Sequence, residues 1–360
     1  MIWENLAKRM PQEINGVPID AAIVTSEENC RYISGFSSSA RVVIVTREIA
    51  YFLTDFRYGE AARKQVKDCK VVEYRQLSKS VEEILRRHEI RGVLLEHERL
   101  TLATAEMYEK ICGQWQAKAV TDATLDTLLK ELRSVKTAYE IAQIKAAQEI
   151  TDAAFAHILQ YIDDAKTERD IALELEFFMR RQGAEKIAFD TIVVSGKNGS
   201  MCHGVPGNKK IQKGDLITMD FGAVVNGYHS DMTRTVAYGS VSDEQRKIYE
   251  TVLKAQLAAI ETLKAGIPCN AVDKAAREVI DAQYPGAFGH TTGHAVGLEI
   301  HEWPYFAPSC TVETKPGMVI TVEPGIYLEG NCGMRIEDMV KITETGCENL
   351  THSPKELLVL

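Results

Sequence analysis

The sequence predicts an α/β domain over residues 1–132 followed by an α+β domain over residues 133–360. Three observations lead there. A chain of 360 residues is long for one hydrophobic core. Strand-like and helix-like segments alternate from residue 18 to residue 132, which implies a sheet covered by helices. Near ELRSVKTAYE, at about residues 131–136, the pattern changes to long helices and hairpin-joined strands.

In the first domain AAIVT (21–25), RVVIVT (41–46) and AYFLT (50–54) are short β-branched runs bounded by polar breaks. VVEY (71–74) and GVLLE (92–96) read the same way. YGEAARKQV (58–66), SVEEILRRH (80–88) and LATAEMYEKI (102–111) carry apolar residues at helical spacing. The second domain should open with one amphipathic helix over 137–163, with Ile141, Ile144, Ala147, Ile150, Ala154 and Ile158 on its buried face. A second helix starts at the capping box Thr167-x-x-Asp170 and closes at Gly183. LITMDFGAVVNGYHSDMTRTV then reads as a hairpin turning at Asn226-Gly227. Two more helices (about 243–264 and 270–282) precede the strands VITVE and MRIEDMVKIT, so helices should lie on an antiparallel sheet.

Composition narrows the function. With 26% charged residues, 45% hydrophobic residues and a net charge of −9, the chain is an ordinary globular protein without the basic surplus of a nucleic-acid binder. No apolar run approaches the ~20 residues of a membrane span, and MIWENLAKRMPQEING has no apolar signal core. Eight dispersed cysteines with no CxxC pair read as reduced thiols of a cytoplasmic protein rather than a disulfide framework or a cysteine zinc site.

The chemistry concentrates in MDFGAVVNGYHSDMTRT, GHTTGHAVGLEIHEWP, TVEPGIY and MRIEDMV, which hold Asp220, Asp231, His294, Glu323 and Glu337. Four carboxylates and an imidazole form an oxygen-rich donor set suited to a pair of divalent ions. Two ions about 3.5–4 Å apart can hold a hydroxide and polarise a carbonyl, as in several aminopeptidases. Peptide-bond hydrolysis is the expected activity. In a hairpin turning at 226–227, Asp220 lies opposite Thr233 and Gly222 opposite Asp231. Asp220 and Asp231 then share one face as diagonal neighbours, roughly 7–8 Å apart. Glu323 and Glu337 repeat this logic on two strands separated by a loop. A lone acid on a strand is ordinarily solvated or ion-paired. Here the acids sit inside apolar strand sequence, where an unpaired charge is costly and a cation removes the cost. His203, His294 and His301 taken singly would be ordinary loop residues. His229 reads as structural, and Cys202 as a buried thiol rather than a nucleophile.

At these segments the chain resembles the Xaa-Pro peptidases (aminopeptidase P and prolidase) of the creatinase/methionine-aminopeptidase superfamily. AAIVTSEENCRYISGF and AYFLTDFRYGEAA resemble the creatinase-like N-terminal domain, and SVKTAYEIAQIKAA resembles the start of the catalytic domain, whose fold is the pita-bread fold. The order of the ligand motifs and the spacing of 11 from Asp220 to Asp231 are kept. The resemblance implies two divalent metal ions, manganese first and cobalt or zinc as alternatives. Asp220 would chelate one ion, Asp231 and Glu337 would bridge both, and His294 would complete one site. Glu323 would bind an ion and shuttle the proton. His203 and His301 would contact the scissile carbonyl or its oxyanion. His290 would line the pocket beyond the scissile bond, and Arg335 would pair with a ligand carboxylate. Peptides with proline second are the implied substrates, and a homodimer the implied assembly, with no nucleic-acid or membrane partner.

Three departures bear on specificity. Ala295 stands where the family usually has glycine and should narrow the site by one methyl. NGSMCHGVP and Tyr228-His229 lean toward the methionine aminopeptidases. Tyr305 takes the place of an arginine that holds the substrate carboxylate in dipeptidase-type members. Methionine aminopeptidase-like specificity, a non-catalytic binding protein on the same fold, and metal-free creatinase chemistry are the alternatives.

Overall fold

The computed structural model describes residues 1–360. Contacts divide the chain into two compact units, Met1–Arg133 and Ser134–Leu360.

The first unit is built on a six-stranded sheet in the order Lys70–Glu73, Ala50–Thr54, Val42–Thr46, Ala21–Val24, Gly92–Leu95, Lys118–Val120. The middle four strands are buried at every position, so helices and loops cover both faces. The sheet is mixed: Val42–Thr46 runs antiparallel to both neighbours, while the outer pairings are parallel. The helices Phe56–Gln65, Leu77–Arg87 and Leu102–Gln114 fall where helical spacing predicts them. Those at Ile2–Arg9, Glu27–Ser34 and Thr124–Ser134 were not expected. Glu27–Ser34 is closed by Gly35 at φ +70, a left-handed cap that glycine adopts without strain.

The second unit carries two helix pairs, each on its own apolar core. Ala138–Ile158 and Glu168–Arg181 pack with Phe155, Leu175, Met219 and Val236. Asp243–Thr262 and Cys269–Asp281 pack with Val252, Val272, Ile320 and Val340. The first of these helices is shorter than the expected 137–163. Its buried stripe runs through Ile144, Ala147, Thr151, Ala154 and Ile158, leaving Ile141 and Ile150 half-buried. Ile162 stays buried beyond the end, on a chain held only by turn-type bonds. The capping box at Thr167 and Asp170 is present, and Gly183 sits at φ +105.

The expected single antiparallel sheet is instead several small ones. The hairpin turns at Asn226-Gly227 and pairs Asp220 with Thr233 and Val224 with His229. Its ladder breaks at Gly222 and Ser230–Asp231, separating two three-stranded sheets. Gly222 is required there, since a Cβ would meet the Ser230 carbonyl at 2.0 Å. The region of Glu323 and Glu337 also corrects the expectation. Val319–Val322 pairs with Asp338–Ile342, and the segment between them forms its own hairpin, Gly325–Leu328 with Cys332–Arg335. Pro324, with no N–H to donate, interrupts the ladder. Register carried across the gap sets Glu323 opposite Glu337, outside the paired strands. No helix of the protein is long and apolar enough to cross a membrane.

Candidate metal centre

Each strand break delivers one acid. Asp220 lies near the end of Leu216–Phe221, Asp231 in the gap before Met232, Glu323 after Val322 and Glu337 before Asp338. His294 comes from Gly293–Ala295, the strand neighbouring Val319–Val322. Ligating atoms of Asp231, His294 and Glu337 all lie within 4.8 Å of one another, and all three residues are buried. His294 Nε2 is 3.5 Å from Asp231 Oδ2 and 3.3 Å from Glu323 Oε1. Arg335 ties Asp220 to the group, its Nη2 donating to Asp220 Oδ2 at 2.6 Å.

The imidazole of His294 is oriented for ligation. Nδ1 lies 3.2 Å from the Ala295 carbonyl, so Nδ1–H donates there and Nε2 turns its lone pair toward the carboxylates. Burial, then the neighbouring His301, depress its pKa to about 3, and the ring is neutral. Ala295 does not narrow the site. It is buried in the apolar core beneath the sheet, on the side away from His294, because neighbouring strand residues face opposite ways.

The four acids crowd one another. Burial, then Glu337, Asp220 and Glu323, push Asp231 well above the usual carboxylate range. Glu337 rises for the same reasons, and Glu323 is pushed up to about 7, chiefly by burial. Two buried oxygens, Asp220 Oδ1 and Glu337 Oε1, have no hydrogen-bond partner. Native interiors seldom leave such atoms orphaned. Positive charge at these oxygens would satisfy them and relieve the repulsion, so hard divalent cations fit this donor set.

Protein stripped of divalent ions is therefore expected to lose stability as pH rises. Glu323 ionises at 4.5 ordinarily but holds its proton to about 7 in the fold. Between those values the native state binds more protons than the unfolded one. Its stability is thus fully present below 4.5 and declines toward 7. Glu323 alone contributes a loss on the order of 3 kcal/mol, and Asp231 and Glu337 extend it upward. Chelator-treated protein should melt lower at pH 8 than at pH 5, and added manganese should abolish that difference. An equal or higher melting temperature at pH 8 without metal would overturn this account.

The other histidines expected at the site neighbour His294 or one another. The ring of His301 stands nearly edge-on to His294, with centroids 4.4 Å apart. His301 and His203 both reach solvent, and His203 lies close enough to disfavour a charge on His301. His290 donates from Nδ1 to the Thr291 carbonyl at 2.8 Å and accepts from Tyr327 Oη at 2.9 Å. Burial lowers its pKa to about 4. Tyr305 pairs with His294 across neighbouring strands and is exposed. His229 is buried, its backbone N–H donating to Gly297 O at 2.9 Å, while Cys202 is half-buried rather than buried.

Sequence reasoning named Arg335 as a partner of a ligand carboxylate but missed the other groups that hold these side chains. Arg335 Nε donates to Thr233 Oγ1 at 2.9 Å, and Thr233 donates to Glu337 Oε2 at 2.7 Å. Arg335 Nη1 donates to Tyr327 Oη at 2.7 Å, completing a chain to His290. Thr321 Oγ1 accepts from the His294 N–H and donates to Glu323. Period-two alternation was the available signal, since Thr233 is two residues from Asp231 and Thr321 two from Glu323. No spacing rule reaches Arg277, which pairs with Asp273 and donates to the carbonyls of Phe288 and His290.

Buried acids and a neutral imidazole converging on the strands of an α+β unit form a site built for divalent metal ions. The chain belongs to metallopeptidase family M24, matched over residues 142–344, and residues 4–135 match the Creatinase/Prolidase N-terminal domain. A solved Xaa-Pro dipeptidase from Bacillus anthracis is similar with a TM-score of 0.93 and 40% identity, covering 100% of this chain and 99% of that one. The X-Pro aminopeptidase from Thermotoga maritima MSB8 has a TM-score of 0.89 and 36% identity, covering 96% and 98%. Among sequences, an Xaa-Pro dipeptidase of Pyrococcus furiosus is 38% identical over 358 residues, 99% of each chain. The fold class expected from the resemblance, a creatinase-like domain plus a pita-bread catalytic domain, stands on these matches.

Proposed function

We propose that this metallopeptidase cleaves the bond between an N-terminal residue and proline, using two divalent ions. The convergence of Asp220, Asp231, His294, Glu323 and Glu337, with two buried oxygens left without partners, carries the reading. Proline specificity draws on relatives whose names specify Xaa-Pro substrates. Asp220 would hold one ion, His294 and Glu323 would each complete one site, and Asp231 and Glu337 would serve both. When bound, the ions supply an ionised water for attack and Lewis acidity at the carbonyl. Manganese is the proposed metal, with cobalt and zinc as alternatives that the same donors accept. A cytoplasmic homodimer is the proposed setting, supported by eight free cysteines and by the family resemblance.

The protein's own groups divide the remaining work. Glu323, the least buried of the four acids and close to both His294 and Arg335, relays a proton to the departing proline nitrogen. That nitrogen carries no N–H in the substrate and leaves as a secondary amine, so the delivered proton is obligatory. His203 and His301 donate to the carbonyl oxygen as it gains charge. His290, fixed by Tyr327 and Thr291, lines the leaving side. Arg335 holds Asp220 in place and is spent on Asp220, Thr233 and Tyr327, which leaves it poorly placed to receive a substrate carboxylate.

Length preference follows from Tyr305. A free Xaa-Pro dipeptide presents a carboxylate just beyond the scissile bond, best held by an arginine fork. A neutral hydroxyl contributes about 0.5–1.5 kcal/mol where a charged contact contributes about 1.5–3. Dipeptides should therefore be weaker substrates by roughly tenfold. Ala-Pro-Ala is expected to exceed Ala-Pro in kcat/KM at equal manganese occupancy, with Met-Ala-Ala far below both. A dipeptide preference would refute the role of Tyr305. Preferred cleavage of Met-Ala-Ala would favour the methionine aminopeptidase reading that NGSMCHGVP suggests, and no cleavage of any of them would favour a binding protein.

A further inference from the structure

A buried acid that the mechanism does not use sits at the base of the loop carrying His203. Glu168, the first residue of the helix Glu168–Arg181, has no exposed surface. Its Oε1 accepts from the Ser195 N–H at 2.7 Å, Ser195 Oγ at 2.9 Å and Asn198 Nδ2 at 3.0 Å. Its Oε2 accepts from Asn198 Nδ2 at 3.2 Å and the Gly207 N–H at 3.2 Å. Ser195 ends the strand entering the loop, and Gly207 lies on the return. One carboxylate thus closes both ends of the segment 196–206. The backbone reinforces the closure, with Glu168 N–H donating to Lys209 O and Arg169 N–H to Gly207 O, both at 3.0 Å.

Within the loop, two contacts link it to the strand that carries Arg335. Gly199 and Gly333 meet backbone to backbone, so close that a Cβ on Gly333 would lie 2.1 Å from Gly199 O. Arg335 Nη1 reaches the Cys202 carbonyl at 3.4 Å. The side chains at the tip, Met201, His203 and Val205, are all exposed. Nothing buried holds His203 directly, so its position depends on how the loop is tied at its base and along its length.

We propose that Glu168 is a positioning residue that sets His203 against the substrate carbonyl by closing the loop 196–206. This rests on reading His203 as an oxyanion donor. Glu168→Gln keeps the shape but replaces one acceptor oxygen with an NH2, which must face donors at Asn198 or Gly207. The clash loosens one end of the loop while leaving the acids and His294 untouched.

The test uses the full chain loaded with manganese and compares wild type, Glu168→Gln, His203→Ala and the double variant on Ala-Pro-Ala. Glu168→Gln should lower kcat/KM by about 10- to 100-fold, as a displaced reacting group does. Manganese content should be unchanged, and tryptic cleavage after the exposed Lys197 should accelerate. In the His203→Ala background the same substitution should add less than about twofold, because the two residues act through one contact. An equal loss in both backgrounds, or loss of metal together with activity, overturns the proposal. If Glu168→Gln does not fold, Asn198→Ala removes part of the tie and should show the same non-additivity on a smaller scale, and additivity there overturns it equally. Full activity in His203→Ala overturns the reading of His203 and this inference with it. An essential His203 with a silent Glu168→Gln overturns this inference alone.

Discussion

Asp231→Ala and Glu337→Ala are each expected to lose both metal ions and to reduce hydrolysis by on the order of 10³-fold or more. Both acids are buried against His294, with ligating atoms of all three within 4.8 Å. A carboxylate shared by two ions cannot be removed without weakening each of them. Unfolding would mimic this result, but stability moves the other way. Asp231 and Glu337 are raised well above their ordinary range by burial and by neighbouring acids, so ionising them destabilises the metal-free fold. Removing either relieves that cost. Chelator-treated Asp231→Ala should therefore melt above chelator-treated wild type at pH 8, while binding less manganese and showing no activity. Metal analysis, melting curves and the Ala-Pro-Ala assay decide it together. Full activity in a metal-free preparation would sink the two-ion reading, and two ions retained by either variant would overturn the shared role given to that acid.

Much of this was legible because strand periodicity and turn chemistry are local. Asn226-Gly227 adopts left-handed φ at both positions, and the register it imposes places Asp220 opposite Thr233. A two-residue turn permits few registers, so one dipeptide carries information about residues on either side. The same locality explains the misreading around Glu323. A hydrophobic pattern shows which residues can be strand but not where a strand changes partner, and Pro324 was the one local sign of that change. Ala295 was misread for a related reason. Its neighbour His294 faces the acids, and alternation alone sends the methyl into the core. The helix Glu27–Ser34 escaped notice although Ser26 and Gly35 bracket it, because its buried residues include Asn29 and Ser34. Contacts between distant segments, such as Arg277 to the carbonyls of Phe288 and His290, leave no trace in spacing.

His203→Ala and His301→Ala should keep their metal and lose about 10²–10³-fold in turnover, the usual effect of deleting an oxyanion donor. The motivating geometry is that neither ring is buried among the acids, whereas His294 is. His301 stands nearly edge-on to His294, with centroids 4.4 Å apart, near enough to reach a carbonyl oxygen brought to the acids. Partial loss of hydration and the nearby His203 lower the pKa of His301, so near neutral pH its ring is uncharged and donates one N–H without carrying a charge into the site. Such a donor strengthens as the oxygen becomes anionic, so its removal should fall on kcat more than on KM. His301→Asn, which keeps an N–H donor on a shorter arm, should recover part of the loss if donation is the role. Manganese content separates donor from ligand. A variant at either position that loses its ions along with its activity would place that histidine among the ligands, and a loss confined to KM would assign it to ground-state binding.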